Sequence, residues 1–275
     1  MLSLSPLTVL PCSPIEQIDA AFEAGFDAVG LRLVPTLDTD IDVLADSALM
    51  RAIRDRLTAT RLQVLEIQVV RIGPDTDVAA VRPMLSFGRD IGARHLVVTS
   101  LPRCDWDSAN EDVVAARLHE LCELAVQYRM RPAIEFMASR GIATIEDAIR
   151  IAGKTGHENI GICIDALHLF RSGGTVASLS KLDPWVLSWV DLCDAPIAKP
   201  GDEGILFEAR FNRLYPGEGE LPLRELVAAI PVDVPLSVEV PCLTRSMLPA
   251  AGRAREAARR TRELLGLTPS PSFPR

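Results

Sequence analysis

The sequence predicts a single (β/α)8 barrel, because short apolar segments alternate with amphipathic segments eight times along its 275 residues. The apolar segments lack the strict apolar–polar alternation of half-exposed strands, which indicates strands covered on both faces, as in a parallel sheet. An open doubly wound sheet is the alternative, but no G-x-G-x-x-G turn follows the first apolar segment. We therefore predict the closed barrel.

The predicted strands are short apolar runs bounded by glycine, proline or polar residues. They cover residues 7–10, 26–33, 62–70, 94–99, 131–136, 160–164, 186–193 and 235–240. Eight strands of this kind in one chain are typical of a (β/α)8 barrel.

The predicted helices are marked by capping residues at their starts and by glycines after their ends. Ser13-Pro14-Ile15-Glu16 and Ser108-Ala109-Asn110-Glu111 have the capping-box pattern, and Gly25 follows the first predicted helix. The helices are predicted at residues 14–24, 42–60, 77–91, 108–128, 144–153, 175–182, 223–230 and 246–265. Residues 1–266 are thus assigned to the barrel, and residues 267–275, with three prolines, to a flexible C-terminal tail.

Composition limits the partners that this chain is expected to have. A formal net charge of −8 argues against a nucleic acid, and the absence of any run of 18 apolar residues argues against a membrane span. The six cysteines are scattered without a C-x-x-C pair and the N-terminus has no basic leader, so we expect a cytoplasmic location. We therefore expect a small-molecule substrate; homodimers are common among such barrels, which leaves a homodimer open.

Carboxylates recur at the ends of the later predicted strands, where (β/α)8 barrels carry their chemistry. Glu135 ends the fifth strand, Asp165 ends the sixth and Glu239 lies on the eighth, while Asp191 and Asp194 are on or next to the seventh. Several carboxylates converging on one rim repel each other unless a cation lies between them. Oxygen ligands favour Mn²⁺, Mg²⁺ or Co²⁺, so the pattern predicts a divalent metal site.

Basic side chains accompany these carboxylates. His168, three residues after Asp165, is the candidate general acid or base, because a neutral imidazole transfers protons near pH 7. Arginines near the same rim are candidates to bind a substrate carboxylate or phosphate. These are Arg32, Arg71, Arg210 and Arg213.

The chain resembles the xylose-isomerase-like TIM-barrel family of sugar-phosphate isomerases and epimerases, which also includes inosose dehydratase and 3-dehydroshikimate dehydratase. The residues that carry the resemblance are Glu135, Asp165-Ala166-Leu167-His168, Asp191, Gly217-Glu218-Gly219 and Glu239. The resemblance implies one divalent ion, with Mn²⁺ favoured and Mg²⁺, Co²⁺ or Zn²⁺ as alternatives, held by Glu135, Asp165, Asp191 and Glu239. It also implies that Glu218 belongs to a substrate-binding loop.

The resemblance leaves two reactions open. The first is isomerisation or epimerisation of a small polyhydroxy-ketone, in which Glu135 and Glu239 move a proton beside a metal-stabilised enediolate. The second is dehydration, in which His168 removes the α-proton and a β-hydroxyl leaves. One position departs from the family pattern, because Asp191 replaces the usual neutral His or Gln and adds a negative charge.

Overall fold

The structure, a computed structural model that describes residues 1–36 and 40–267 apart from the side chains of residues 202 and 203, is a closed barrel of eight parallel strands. The strands are β1 (Leu2–Leu4), β2 (Ala28–Arg32), β3 (Gln63–Ile72), β4 (His95–Ser100), β5 (Arg131–Glu135), β6 (Gly161–Asp165), β7 (Leu187–Leu192) and β8 (Leu236–Val238). Each strand pairs with the next in sequence, and β8 pairs with β1, which places Leu236 opposite Leu2. The predicted (β/α)8 barrel is confirmed.

Helices connect the strands on the outside of the barrel. They are α1 (Pro14–Glu23), α2 (Ser47–Thr60), α3 (Arg82–Asp90), α4 (Glu111–Val126), α5 (Ile145–Thr155), α6 (Ala166–Arg171), α7 (Asp202–Phe211), α8 (Leu223–Ala228) and α9 (Ala250–Leu265). The predicted capping box begins α1: the Ser13 hydroxyl accepts from the backbone N–H of Glu16, whose carboxylate accepts from the backbone N–H of Ser13.

Two sequence-based assignments are wrong. The first strand is Leu2–Leu4 rather than residues 7–10, because Leu2–Leu4 bonds to both β2 and β8, whereas Pro6–Thr8 forms a 3₁₀ turn. The short helix predicted at residues 175–182 is present as a 3₁₀ helix at Val176–Lys181. The segment between β7 and β8, predicted as a long loop before α8, contains α7.

Small apolar side chains and one tryptophan fill the barrel interior below the strand ends. They are Ala28, Leu65, Val97, Ala133, Cys163 and Trp189. A larger apolar core lies between the strands and the helices. This interior plug leaves the space at the carboxyl ends of the strands for a site.

Gly30 on β2 provides room for a buried carboxyl group inside the barrel. A Cβ at this position would lie 1.6 Å from Oε1 of Glu66, so any larger residue would displace that side chain. Glu66 is only 1% exposed, and its Oε2 has no hydrogen-bond partner among the described residues. Gly30 thus allows a carboxyl group in a place where the barrel would otherwise be apolar.

Along residues 1–36 and 40–267, no helix has both the length and the apolar character needed to cross a membrane. The C-terminal tail was predicted at residues 267–275, and residues 268–275 of it lie outside the described part of the chain.

Candidate active site

Four buried carboxylates lie at the carboxyl ends of four consecutive strands. Glu135 and Asp165 are the last residues of β5 and β6, Asp191 is the penultimate residue of β7, and Glu239 directly follows β8. Asp191 pairs in register with Asp165. All four are at most 8% exposed, so their charges interact with little screening by water. We call these four residues the acidic ring.

His168 is held next to the acidic ring by the start of α6. Asp165 is the N-cap of this helix, and its Oδ1 accepts a hydrogen bond of 3.0 Å from the backbone N–H of His168. The imidazole is 4% exposed, and burial lowers the pKa of His168 to about 4. The imidazole of His168 is therefore neutral near pH 7, and one of its nitrogens carries a lone pair that can accept a proton.

Arg213 lies among the carboxylates rather than alone on the cavity wall. Its Nη1 donates to Oδ2 of Asp165 at 2.5 Å, and its Nη2 lies 3.3 Å from Oε2 of Glu239. The guanidinium is also held by a bond from Nε to the carbonyl of Ala209. Arg213 thus supplies one buried positive charge to a ring of four acids.

One guanidinium is not enough to keep every member of the acidic ring ionised. Burial, followed by the charges of Glu239 and Asp165, raises the pKa of Glu135 well above its usual range. Burial also raises the pKa of Glu239 to about 8, although Arg213 opposes the shift. Asp165 differs: burial raises its pKa, but the neighbouring Arg213 and His168 outweigh that effect and lower it.

Asp191 is bonded to the barrel interior. Its Oδ2 accepts a hydrogen bond of 2.8 Å from the indole Nε1 of Trp189 and one of 3.0 Å from the thiol of Cys163. Burial and the charge of Asp165 raise the pKa of Asp191 to about 6. The two donors satisfy Oδ2 of Asp191 within the protein interior.

The donor set fits a divalent cation. Glu135, Asp165 and His168 each offer one ligand atom, and these atoms lie within 4.8 Å of one another. Oε2 of Glu239 is buried without a hydrogen-bond partner among the described residues. Carboxylate oxygens and an imidazole nitrogen are common ligands of divalent ions. The four carboxylates of the acidic ring also outnumber the guanidinium of Arg213 that lies among them.

A cavity of about 140 Å³ opens above the acidic ring. Seven of the residues predicted from the sequence to form the site line it: Arg32, Arg71, Glu135, His168, Arg210, Arg213 and Glu239. Asp165 and Asp191 are not among the lining residues. Glu218 is also absent from the lining; its carboxylate pairs with Arg245 at 2.9 and 3.0 Å and accepts from the backbone N–H of Tyr215.

Arg140 lines the same cavity and was not among the residues selected from the sequence. Arg140 lies in the turn after β5, five residues beyond Glu135, where its backbone forms an isolated bridge with Pro102. The sequence signal that could have pointed to Arg140 was its position five residues after Glu135, which ends β5. Loops have no periodicity, so the sequence does not show which of their side chains face the site.

Several solved structures share this architecture. An IOLI protein with a bound zinc atom superposes with a TM-score of 0.82 at 19% identity, covering 96% of this chain and 98% of its own. The probable 3-DHS dehydratase AsbF of Bacillus anthracis has a TM-score of 0.76 at 16% identity, covering 94% and 97%. At these identities the likeness shows the fold.

Curated relatives match part of the chain. Inosose isomerase of Bacillus subtilis is 27% identical over 166 residues, which is 58% of this chain and 56% of that protein. Inosose isomerase of Halalkalibacterium halodurans is 28% identical over 118 residues, or 41% of this chain and 39% of that protein. The 3-dehydroshikimate dehydratase of Bacillus anthracis is 28% identical over 83 residues, or 30% of each. The matched regions thus span between about a third and just over half of these relatives.

The model of the xylose isomerase-like TIM barrel family matches residues 18–264, which include all of the acidic ring, His168 and Arg213. The predicted family is confirmed by this match. Together with the closed eight-stranded barrel, it shows that the chain belongs to the xylose isomerase-like TIM barrel family.

Proposed function

We propose that this chain is a divalent-metal-dependent enzyme that moves a proton next to the carbonyl group of a small polyhydroxy-ketone, as an isomerase or epimerase. The observation that carries the proposal is that Glu135, Glu239 and His168 line one small cavity above the acidic ring. The inosose isomerases among its relatives support the same class of substrate.

We propose Glu135, Asp165 and Glu239 as the residues that would hold the ion, with Asp191 as the fourth carboxylate beside them. When bound, the ion would act as a Lewis acid that increases the acidity of the C–H next to the substrate carbonyl. Its charge would also keep the carboxylates ionised, against the burial that raises the pKa of Glu239 and Glu135.

The protein residues would perform the proton transfers. A carboxylate of Glu135 or Glu239 accepts the α-proton, and a protonated group lining the cavity returns a proton to the neighbouring carbon or to the opposite face. His168, neutral because it is buried, is the proposed partner in these transfers. The cavity holds these groups around a small substrate, which limits access of water to the carbanion.

Dehydration is the second candidate, and the arginines that line the cavity favour it. In this reaction His168 takes the α-proton, the C–O bond to the β-hydroxyl breaks, and the hydroxyl leaves as water with a proton from an acid. An arginine in the cavity would bind a substrate carboxylate, as the similarity to a 3-dehydroshikimate dehydratase suggests.

Both reactions begin with removal of an α-proton, so one assay in heavy water tests the shared step. Metal-loaded protein would be incubated with an inosose, with D-allulose and with 3-dehydroshikimate, and the products analysed after chelation. An isomerase gives an epimer or isomer that contains deuterium. A new ultraviolet chromophore from 3-dehydroshikimate, without any epimer from the other two, would refute the isomerase. Absence of both products and of deuterium exchange would refute the proposed function.

A further inference from the structure

Five arginines line the cavity, and they differ in how their charge is balanced. They are Arg32, Arg71, Arg140, Arg210 and Arg213. Two of them are paired with acids inside the protein. Arg32 bonds to Asp40 at 3.1 Å and to Gln68 at 3.2 Å, and Arg213 is paired with Asp165 and Glu239. These two arginines are fixed by the protein itself.

The other three arginines have no such partner. Among the residues whose side chains the structure describes, no acid forms an ion pair with the guanidinium of Arg71, Arg140 or Arg210, and no side-chain hydrogen bond holds any of them. They come from three different elements: the end of β3, the turn after β5 and the last turn of α7. The fold therefore brings to one cavity three guanidinium groups that have no ion-pair partner among the described side chains.

The three charges are close enough to influence one another. Arg140 is half-buried, and burial together with the charges of Arg71 and Arg210 lowers its pKa. Repulsion of this kind destabilises the empty cavity and is relieved by an anion between the guanidinium groups. Arginine forms paired N–H bonds with carboxylates and phosphates, which fits an oxyanion better than a neutral hydroxyl.

The cavity lining thus combines two carboxylates of the acidic ring, those of Glu135 and Glu239, with the three arginines. We propose that Arg71, Arg140 and Arg210 form an oxyanion subsite, so that the substrate carries a carboxylate or phosphate group in addition to its carbonyl. This inference rests on the proposed function, which places the carbonyl group of the substrate next to the acidic ring. It adds that the substrate is an anion bound at two ends, and it assigns Arg32 and Arg213 to internal ion pairs.

Equilibrium binding tests the subsite without any need for turnover. Calorimetry on the full chain would compare D-fructose 6-phosphate with D-fructose, which differ by the phosphate group, and would use 3-dehydroshikimate as the carboxylate probe. We expect at least one anionic probe to bind ten-fold or more tightly than D-fructose. The probe that binds distinguishes phosphate from carboxylate. Equal affinity for all three compounds, or no binding of either anion, would overturn the proposal.

The substitutions Arg71→Gln, Arg140→Gln and Arg210→Gln locate the subsite. Each should weaken binding of the anionic probe at least ten-fold and leave binding of D-fructose unchanged. Arg224→Gln is the matched control, because Arg224 is an exposed arginine on α8 outside the cavity lining. Unchanged anion binding in all three variants, with wild-type melting temperatures, would overturn the proposal. Anion binding without proton exchange in any substrate would instead refute the proposed function and leave the subsite in place.

Discussion

The guanidinium of Arg213 donates a hydrogen bond of 2.5 Å to Oδ2 of Asp165, and both side chains are at most 2% exposed. The pair links the segment between α7 and α8 to the end of β6. Because Arg213 also approaches Glu239, one buried cation connects two members of the acidic ring. Loss of this cation would leave the buried carboxylates of Asp165 and Glu239 without their ion-pair partner among the described residues.

We therefore expect Arg213→Met to lower the free energy of unfolding of the metal-free protein by about 3–5 kcal/mol at pH 7. Urea denaturation of the variant and of Arg224→Met, an exposed control, measures the difference. Addition of Mn²⁺ should recover part of the loss, since the ion brings positive charge to the same acids. A loss no larger than that of the control would show that Asp165 does not depend on Arg213.

Metal binding should depend on Glu135 and Asp165. Glu135→Gln and Asp165→Asn each remove a negative oxygen ligand, so we expect at least ten-fold weaker metal binding and a much smaller gain in melting temperature on addition of Mn²⁺. Elemental analysis after dialysis and a thermal melt measure both effects. Glu225→Gln, an exposed substitution on α8, should behave as the wild type. Full metal content in both ring variants would contradict the proposed ligands.

His168→Gln distinguishes a proton-transfer residue from a metal ligand. If His168 transfers a proton, kcat should fall by about 10²–10⁴-fold while the metal content stays at the wild-type level. His157→Gln is a suitable control, because His157 bonds to Glu123 on the outer helical layer. Loss of the metal from His168→Gln would assign His168 to the group of ligands with Glu135 and Asp165.

The buried Glu66 should make the stability of the metal-free protein depend on pH. Burial, then the charges of Asp191 and Glu239, raises the pKa of Glu66 well above the ordinary value of a glutamate, so the folded protein retains a proton that the unfolded chain releases. Stability should therefore fall as the pH rises above that value. The raised pKa values of Glu135 and Glu239 also make stability fall as the pH rises. The contribution of Glu66 is therefore isolated by comparing the wild type with a variant of Glu66 alone.

Glu66→Gln keeps the shape of the side chain and removes the titration. Between about pH 7.5 and 8.5, where the unfolded histidines are largely neutral, we expect the variant to lose less stability than the wild type. Urea denaturation at several pH values in the presence of a chelator gives, for each protein, the slope of the free energy of unfolding against pH. Equal slopes would mean that Glu66 is ionised in the folded protein.

The sequence predicted the fold and the placement of all four ring carboxylates for one physical reason. Strands of a parallel barrel end on the same face, so Glu135, Asp165, Asp191 and Glu239 could be placed together from their positions near the ends of apolar runs. The same reasoning identified His168, because the chain turns into α6 directly after Asp165.

What the sequence did not predict depends on contacts between distant segments. Arg213 and Asp165 are 48 residues apart, and their pairing follows from the path of the chain after α7. Arg140 lies in a turn, and the partners of Asp191 depend on the packing of side chains inside the barrel. The first strand was misplaced because residues 7–10 form the more continuous apolar run, and only pairing with β2 and β8 identifies Leu2–Leu4 as the strand.

The hydrogen bond from Trp189 to Asp191 gives the acidic ring an intrinsic optical reporter. The indole of Trp189 is 1% exposed, whereas Trp185 is 84% exposed and Trp106 is half-buried. The emission of Trp189 can therefore be distinguished by its shorter wavelength and by its protection from external quenchers, and a Trp106→Phe background removes the half-buried indole. A change in the charge of Asp191, caused by protonation or by an ion nearby, alters the electric field at the indole. Ligand binding at the carboxyl ends of the strands should therefore be measurable from the fluorescence of the unlabelled protein.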